Sequence, residues 1–185
     1  DIQAAKGANG TPMRQEVLTV CYRTPKTIMK AAEAAVASYG LQVPYPVTSV
    51  RDLDDALVVE AVAQTVYAQR WRELVTAKCI QLDEQLGKDQ GTIVVISNDP
   101  AHLEALLGED EYLAEQMFRP EGDLLRARVA VMTPLTSKGL EFDVVLLDQP
   151  GQIGQVSPGD LYVAMTRPTK QLHILHTDEL GFSLQ

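Results

Sequence analysis

Residues 92–96 form an almost unbroken apolar run, in which Thr is followed by Ile-Val-Val-Ile, and the run stops at Ser97-Asn98-Asp99. A strand without polar alternation is buried on both faces, and such strands occur almost only in parallel sheets that helices cover. Four other segments predict strands: residues 15–21, 128–132, 144–147 and 172–175. Helical patterns lie between them, so the chain is predicted to have an α/β fold with a mainly parallel sheet and helices on both faces.

Helix boundaries follow from capping residues and from apolar residues at helical spacing. Four helices are predicted: from Thr24-Pro25 to Gly40, from Asp52 to about Leu86 with one break, from about Pro100 to Leu107, and from Ser157 through Thr166. Residues 43–50 are predicted to be at most a short edge strand, residues 109–122 irregular, and residues 149–156 a loop.

The domain organisation predicted is a lead-in over residues 1–14 and one domain over residues 15–185. Because the chain begins with Asp1 rather than Met, we expect it to be a fragment of a longer protein. The two cysteines lack metal-ligand spacing, which predicts no bound metal and a reducing compartment. No apolar run has the length of a membrane span and no signal-peptide pattern opens the chain, so a cytoplasmic protein without membrane contact is expected.

Net charge restricts the partners. The 16 Lys and Arg residues against 25 Asp and Glu residues give −9, the wrong sign for a domain that grips nucleic acid by phosphate neutralisation alone. Any nucleic-acid contact must then be local. The chain also lacks G-x-x-x-x-G-K-[ST], the loop with which an independent P-loop NTPase holds phosphate, so a self-contained hydrolase is not expected.

Three segments resemble motifs of UvrD/Rep/PcrA-type superfamily 1 helicases. Tyr22-Arg23-Thr24 is similar to their motif IV, N-Y-R-S. Residues 133–143, Thr-Pro-Leu-Thr-Ser-Lys-Gly-Leu-Glu-Phe-Asp, resemble motif V with its K-G-L-E-F core. Residues 162–167, Tyr-Val-Ala-Met-Thr-Arg, resemble motif VI, Y-V-A-x-T-R. The order and spacing of the three agree with that family over nearly the whole chain.

The resemblance implies the second, C-terminal RecA-like domain of such a motor, a P-loop NTPase-like fold without its own Walker A loop. In that family ATP and Mg²⁺ lie between two RecA-like domains, and the N-terminal domain of the same protein carries the Walker lysine and the metal ligands. Arg167 would be the arginine finger, because a planar guanidinium binds two phosphate oxygens at once. Arg23 would be a second contact to the γ-phosphate.

The resemblance assigns further roles in contacts with the nucleotide and with single-stranded DNA. Tyr22 would stack on adenine, Glu141 would accept a hydrogen bond from a ribose hydroxyl, and Gly139 would allow a close turn. Thr136 and Ser137 would contact single-stranded DNA through phosphate. Each residue also has an ordinary structural alternative: a strand-end aromatic for Tyr22, a solvated turn for Arg23, a surface pair of Glu141 with Lys138, turn capping for the two hydroxyls, and helix-dipole stabilisation for Arg167.

Some positions depart from the family pattern. Leu135 stands where motif V usually has histidine, Pro168 stands where alanine is usual, and too few residues separate Arg23 from Thr133 for the large insertion domain. Leu135, the K-G-L-E-F-D segment and the missing insertion resemble the HelD-like branch, ATPases that act on RNA polymerase. Two functions therefore stay open: the motor domain of an ATP-dependent DNA helicase or translocase, and a non-catalytic RecA-like module that binds a protein such as RNA polymerase.

Overall fold

The computed structural model describes residues 20–21, 23–43, 48–49, 52–117 and 127–185. In chain order the strands are β1 (Val20–Cys21), β2 (Thr48–Ser49), β3 (Leu57–Ala61), β4 (Ile93–Ile96), β5 (Val129–Met132), β6 (Phe142–Asp148) and β7 (Pro168–His176). The helices are α1 (Lys26–Ala37), α2 (Tyr67–Leu86), α3 (Pro100–Gly108), α4 (Glu111–Met117), α5 (Pro134–Ser137), α6 (Pro150–Val156) and α7 (Pro158–Met165), with a 3₁₀ turn at Gln64–Val66.

Five strands form one parallel sheet in the order β3-β7-β6-β4-β5, and β1 pairs with β2 in a separate parallel pair. The four residues of β4 are all buried, as its unbroken apolar run predicts. The predicted α/β class with a parallel sheet is therefore confirmed.

Apolar clusters cover both faces of the sheet, because alternate residues of each buried strand point to opposite sides. On one face, Trp71 and Leu82 of α2 pack with Val144 and Leu146 of β6. On the other face, Ile28 of α1 and residues of α7 pack with Ile174 and other residues of the sheet. This division puts α2 opposite α1 and α7.

The helix predicted from Asp52 to Leu86 is wrong in its first half. Edge strand β3 occupies part of it and pairs with β7, and α2 begins only at Tyr67. The β-branched pair Val58-Val59 is typical of a strand, a preference that the apolar spacing concealed. Asp52 caps a different helix: its carboxylate accepts hydrogen bonds from Thr27 N (3.3 Å) and Thr27 Oγ1 (2.9 Å) in the first turn of α1.

The irregular segment predicted over residues 109–122 contains α4. Asp110 caps this helix, since its carboxylate accepts a hydrogen bond from Leu113 N at 3.1 Å. Leu113 and Met117 are buried beneath it. In the described part of the segment, residues 109–117, only these two are buried, and the many acidic and exposed residues around them resemble a loop in the sequence.

The loop predicted over residues 149–156 is also wrong, because it contains α6. Its glycines serve close packing: a Cβ atom built on Gly154 would lie 2.6 Å from the Tyr39 ring, and one on Gly151 would lie 2.7 Å from Leu180 O. The two glycines of α6 therefore allow the helix to pack closely against its neighbours. In the sequence alone, glycines with this role look the same as glycines of a turn.

The remaining helix and strand predictions agree with the described residues. α1 ends before Gly40, which has φ +78°, and Ser157 caps α7 by accepting a hydrogen bond from Asp160 N at 3.2 Å. A short strand, β2, lies within residues 43–50. The predicted lead-in, residues 15–19 of the first strand, and Tyr22 lie outside the described residues.

In the ranges that the structure describes, no helix combines the length and apolarity needed to cross a bilayer. Within the same ranges, no three His, Cys, Asp or Glu side chains come together in a way that could hold a metal ion.

Candidate functional site

The three motif-like segments meet at one place, although Thr24 and Thr166 are far apart in sequence. Arg23 Nη1 lies 2.5 Å from Glu141 Oε1. Thr24 Oγ1 donates a hydrogen bond to Thr166 O at 3.1 Å, and Arg167 Nη1 donates to Leu140 O at 3.2 Å. We refer to residues 23–24, 133–143 and 162–167 as the three-segment cluster.

Glu141 and Arg167 of the cluster lie at the amino ends of β6 and β7, whereas Thr133 follows the carboxyl end of β5. Phe142 and Pro168, the first residues of these strands, are paired in register. Phe142 N donates a hydrogen bond to Arg167 O at 3.1 Å, so the ends of segments 133–143 and 162–167 are joined through the backbone. The sheet therefore fixes the position of Glu141 relative to Arg167.

Arg167 is half-buried at the carboxyl end of α7, and its guanidinium is held by several hydrogen bonds. Nε donates to Val163 O (2.9 Å), Nη1 to Leu140 O (3.2 Å) and Nη2 to Thr166 Oγ1 (3.2 Å). The acceptors in these three bonds are uncharged oxygen atoms, and together they fix the orientation of the planar group. A planar guanidinium can bind two oxygens of a phosphate or carboxylate at once.

Arg23 and Glu141 form an exposed ion pair, with 71% and 43% of their side chains accessible. Exposed pairs of this kind contribute only about 0–1 kcal/mol to stability. Both side chains can therefore exchange this interaction for contacts with a ligand. The structure pairs Glu141 with Arg23, whereas the surface alternative paired it with Lys138.

Segment 133–143 is a capped helical turn followed by a tight exit. Thr133 Oγ1 accepts a hydrogen bond from Thr136 N at 3.2 Å. Ser137 is buried and its hydroxyl donates to Pro134 O at 2.6 Å, while Thr136 is exposed. Gly139 has φ +83°, a conformation that other L-residues adopt at a cost. Leu135 points outward with 69% of its surface exposed.

The predicted site residues within the described ranges are thus placed together. Arg23, Gly139, Glu141 and Arg167 lie in the three-segment cluster, and Thr136 and Ser137 lie in its α5 turn. Tyr22 lies outside the described residues.

Sequence reasoning missed the groups that hold the cluster together. Thr24, which is buried, looked like a helix cap but donates its hydroxyl to Thr166 O. The carbonyls of Leu140 and Val163 bind Arg167, and no side-chain pattern reveals a carbonyl acceptor. Among these groups, only Thr166 could be found from the sequence, because it precedes Arg167 in the Thr-Arg pair of segment 162–167.

A second polar cluster lies at the carboxyl ends of the central strands β4 and β6. The buried Asp148 carboxylate accepts hydrogen bonds from the Tyr67 hydroxyl and from Ser97 Oγ, the latter at 2.7 Å. Burial raises the pKa of Asp148 above its ordinary value, although the two hydrogen bonds oppose that shift. Burial also raises the pKa of Tyr67, and the nearby negative charge of Asp148 raises it further.

Solved structures that resemble this chain include the C-terminal domain of a possible DNA helicase from Lactobacillus plantarum WCFS1. The sequences are 20% identical, the TM-score is 0.58, and the match covers 89% of this chain and 94% of that one. No protein-family model matches the chain, and no curated protein matches it. The likeness supports the fold, which is the RecA-like α/β class with a five-stranded parallel sheet.

Proposed function

We propose that this chain is the C-terminal RecA-like domain of a UvrD/HelD-like superfamily 1 ATPase, a DNA helicase or translocase. In this proposal it completes an ATP site whose Walker lysine and Mg²⁺ ligands belong to the N-terminal RecA-like domain of the same protein. The observation that carries the proposal is the convergence of segments 23–24, 133–143 and 162–167 in one cluster. The shared fold with the C-terminal domain of a possible DNA helicase supports it.

Arg167 is assigned to the γ-phosphoryl group as the arginine finger. Phosphoryl transfer needs charge stabilisation by groups that are oriented before the reaction, because reorientation during the reaction costs free energy. The hydrogen bonds from Arg167 to Val163 O, Leu140 O and Thr166 Oγ1 supply that orientation. Domain closure would then bring the guanidinium to the phosphate held by the N-terminal domain.

Arg23 and Glu141 are assigned to two parts of the same nucleotide, the γ-phosphate and the ribose. Arg23 would contact the γ-phosphate, Glu141 would accept a hydrogen bond from the ribose, and Tyr22 would stack on adenine. When ATP binds, the exposed ion pair between Arg23 and Glu141 is exchanged for these contacts. Gly139 keeps the backbone beside Glu141 in the turn that the exchange requires.

Segment 133–143 also contains the residues proposed to contact single-stranded DNA. The exposed Thr136 hydroxyl lies 2.9 Å from Thr133 Oγ1; in this proposal Thr133 donates in that pair, so that the Thr136 hydroxyl donates to a DNA phosphate. The Ser137 hydroxyl donates to Pro134 O inside the turn. In this proposal Ser137 acts by shaping the turn that presents Thr136.

One observation favours the alternative, a protein-directed module such as one that binds RNA polymerase. Leu135 is 69% exposed at the position beside Thr136, and an apolar side chain there suits a protein surface better than a phosphate backbone. The net charge of −9 also disfavours a broad nucleic-acid interface.

ATP turnover by the full-length protein tests the proposal, with and without single-stranded DNA, in wild type and Arg167→Ala. Turnover that DNA stimulates and the substitution abolishes supports a DNA motor. Turnover that depends on Arg167 but is indifferent to DNA supports a protein-directed ATPase, and stimulation by RNA polymerase would identify the HelD-like type. Unchanged turnover in Arg167→Ala would refute the finger assignment.

A further inference from the structure

A pocket of about 350 Å³ opens beside the carboxyl-terminal part of α2. Its floor is apolar, formed by Leu82 of α2 and Val144 of β6, both of which are buried. Gln81 and Gln85 lie along one side, and the loop before β3 contributes Asp54 and Asp55. Pockets of this volume accommodate small organic molecules.

One wall of the pocket is fixed by hydrogen bonds that join the half-buried Gln171 to the buried Lys78 and to the loop before β3. Gln171 of β7 donates from Nε2 to Asp55 O at 2.8 Å, and its Oε1 accepts a hydrogen bond from Lys78 Nζ. Lys78 is only 9% exposed. Asp55 has φ +56°, a left-handed conformation that Asp adopts more readily than most residues other than glycine. The Gln171 hydrogen bond holds the Asp54-Asp55 loop in place.

The opposite wall offers unused hydrogen-bonding capacity. Gln81 and Gln85 lie one turn apart on α2, both are exposed, and no described residue forms a hydrogen bond to either amide. Each amide carries a donor and an acceptor side by side, which is the arrangement that glutamine uses to bind the edge of a nucleobase. Leu53, which also lines the pocket and is 41% exposed, provides an apolar surface for the face of a planar ring.

The charged groups of the pocket restrict the ligand further. Asp54 and Asp55 place two carboxylates on the rim, against one ammonium from Lys170. Carboxylates accept hydrogen bonds from ribose hydroxyls and repel phosphates. We propose that this pocket binds a ribonucleoside, with the edge of the base at the Gln81 and Gln85 amides, its face against Leu53, and the ribose hydroxyls at Asp54 and Asp55.

This site is distinct from the three-segment cluster. Leu82 and Val144 belong to the apolar cluster on the α2 face of the sheet, whereas Leu161, Ala164 and Met165 of α7, the helix that ends at Arg167, pack on the other face. Binding in the pocket consequently does not need Arg23 or Arg167, and the inference does not depend on the proposed ATP site.

The test is a titration of the ¹⁵N-labelled 185-residue chain with adenosine, cytidine and uridine, followed by NMR of the glutamine side-chain amides. We expect saturable shifts of the Gln81 and Gln85 amides with at least one nucleoside. Gln81→Leu and Gln85→Leu should each weaken that binding about fivefold, the effect of one lost hydrogen bond. Gln155→Leu, an exposed glutamine on α6, is the matched control and should not change it.

Two further titrations define the ligand. The 2′-deoxynucleoside should bind about fivefold more weakly, since it lacks one of the two adjacent ribose hydroxyls, and the 5′-monophosphate should bind no more tightly than the nucleoside. The inference is overturned if none of the three nucleosides gives saturable shifts, or if binding survives the double variant Gln81→Leu/Gln85→Leu. Equal affinity for the deoxynucleoside would also overturn it, as would loss of binding in Arg167→Ala, which would assign the ligand to the three-segment cluster.

Discussion

Arg23 Nη1 and Glu141 Oε1 lie 2.5 Å apart, although the nucleotide-site proposal assigns Arg23 to the γ-phosphate and Glu141 to the ribose of one ATP molecule. The two side chains form an ion pair of opposite charges. Since the pair is exposed, it contributes little to stability and competes only weakly with a ligand. Under the nucleotide-site proposal, phosphate would replace the Glu141 carboxylate beside Arg23.

Glu141→Gln should increase the affinity of the chain for tripolyphosphate two- to fivefold, because it removes the competing carboxylate and the exchange involves at most about 1 kcal/mol. Tripolyphosphate lacks a ribose, so the proposed ribose contact of Glu141 does not enter the measurement. Arg23→Ala should weaken binding, and calorimetric titration measures both changes.

Glu179→Gln is the matched control for that experiment, because it removes an exposed carboxylate outside the three-segment cluster. It should leave the affinity unchanged. Weaker tripolyphosphate binding by Glu141→Gln would contradict a competitive role for the ion pair.

Gly139→Ala should destabilise the domain by about 1 kcal/mol, since alanine at φ +83° is strained while a Cβ atom there meets no atom within 4 Å. Gly159→Ala in α7 is the comparison: Gly159 has no positive φ, and alanine favours the helix, so it should be neutral or stabilising. Urea unfolding of the two variants measures the difference. A Gly139→Ala variant as stable as wild type would show that the turn does not require glycine.

Asp148→Asn should alter how the free energy of unfolding depends on pH. A carboxyl group whose pKa is raised by folding binds more protons in the folded state, so it stabilises the fold at low pH and loses that contribution as the pH rises from 3.8 through its folded pKa. Asparagine cannot titrate. The stability of Asp148→Asn relative to wild type should therefore increase with pH across this window and be constant above it.

Urea unfolding of both proteins at several pH values gives that relative stability. Asp52, Glu60 and Asp83 have lowered pKa values and act in the opposite direction, but they are present in both proteins and cancel in the comparison. A relative stability that does not vary from pH 3.8 upward would contradict the raised pKa of Asp148.

How much the sequence predicts depends on whether a residue acts through its own side chain or through its position. The apolar run of β4 and the Ser157 cap of α7 act locally, and both predictions are confirmed. Asp52 and Thr24 have the side chains of helix caps, but Asp52 caps α1 from a distant loop and Thr24 binds Thr166 O across the fold. Such long-range hydrogen bonds depend on the topology, which a local pattern does not contain.

The candidate site shows the same division. The guanidinium and carboxylate groups were identified as Arg23, Glu141 and Arg167 from their motif-like segments, and the structure places them together. The carbonyl oxygens that orient Arg167 were not identified, because every residue carries one and only the packing of α7 against segment 133–143 selects Leu140 and Val163.

Arg167→Lys should reduce ATP turnover by the full-length protein almost as strongly as Arg167→Ala, by about 10³-fold or more, while ATP affinity changes little. Lysine keeps the charge but lacks the planar group that donates to Val163 O, Leu140 O and Thr166 Oγ1 at once, so it is not held toward the phosphate. Arg72→Lys on α2 is the control, since Arg72 bonds to Leu106 O and Glu109 outside the cluster. Single-turnover hydrolysis with a separate nucleotide-binding titration distinguishes the two effects, and wild-type turnover in Arg167→Lys would show that a positive charge without fixed orientation is sufficient.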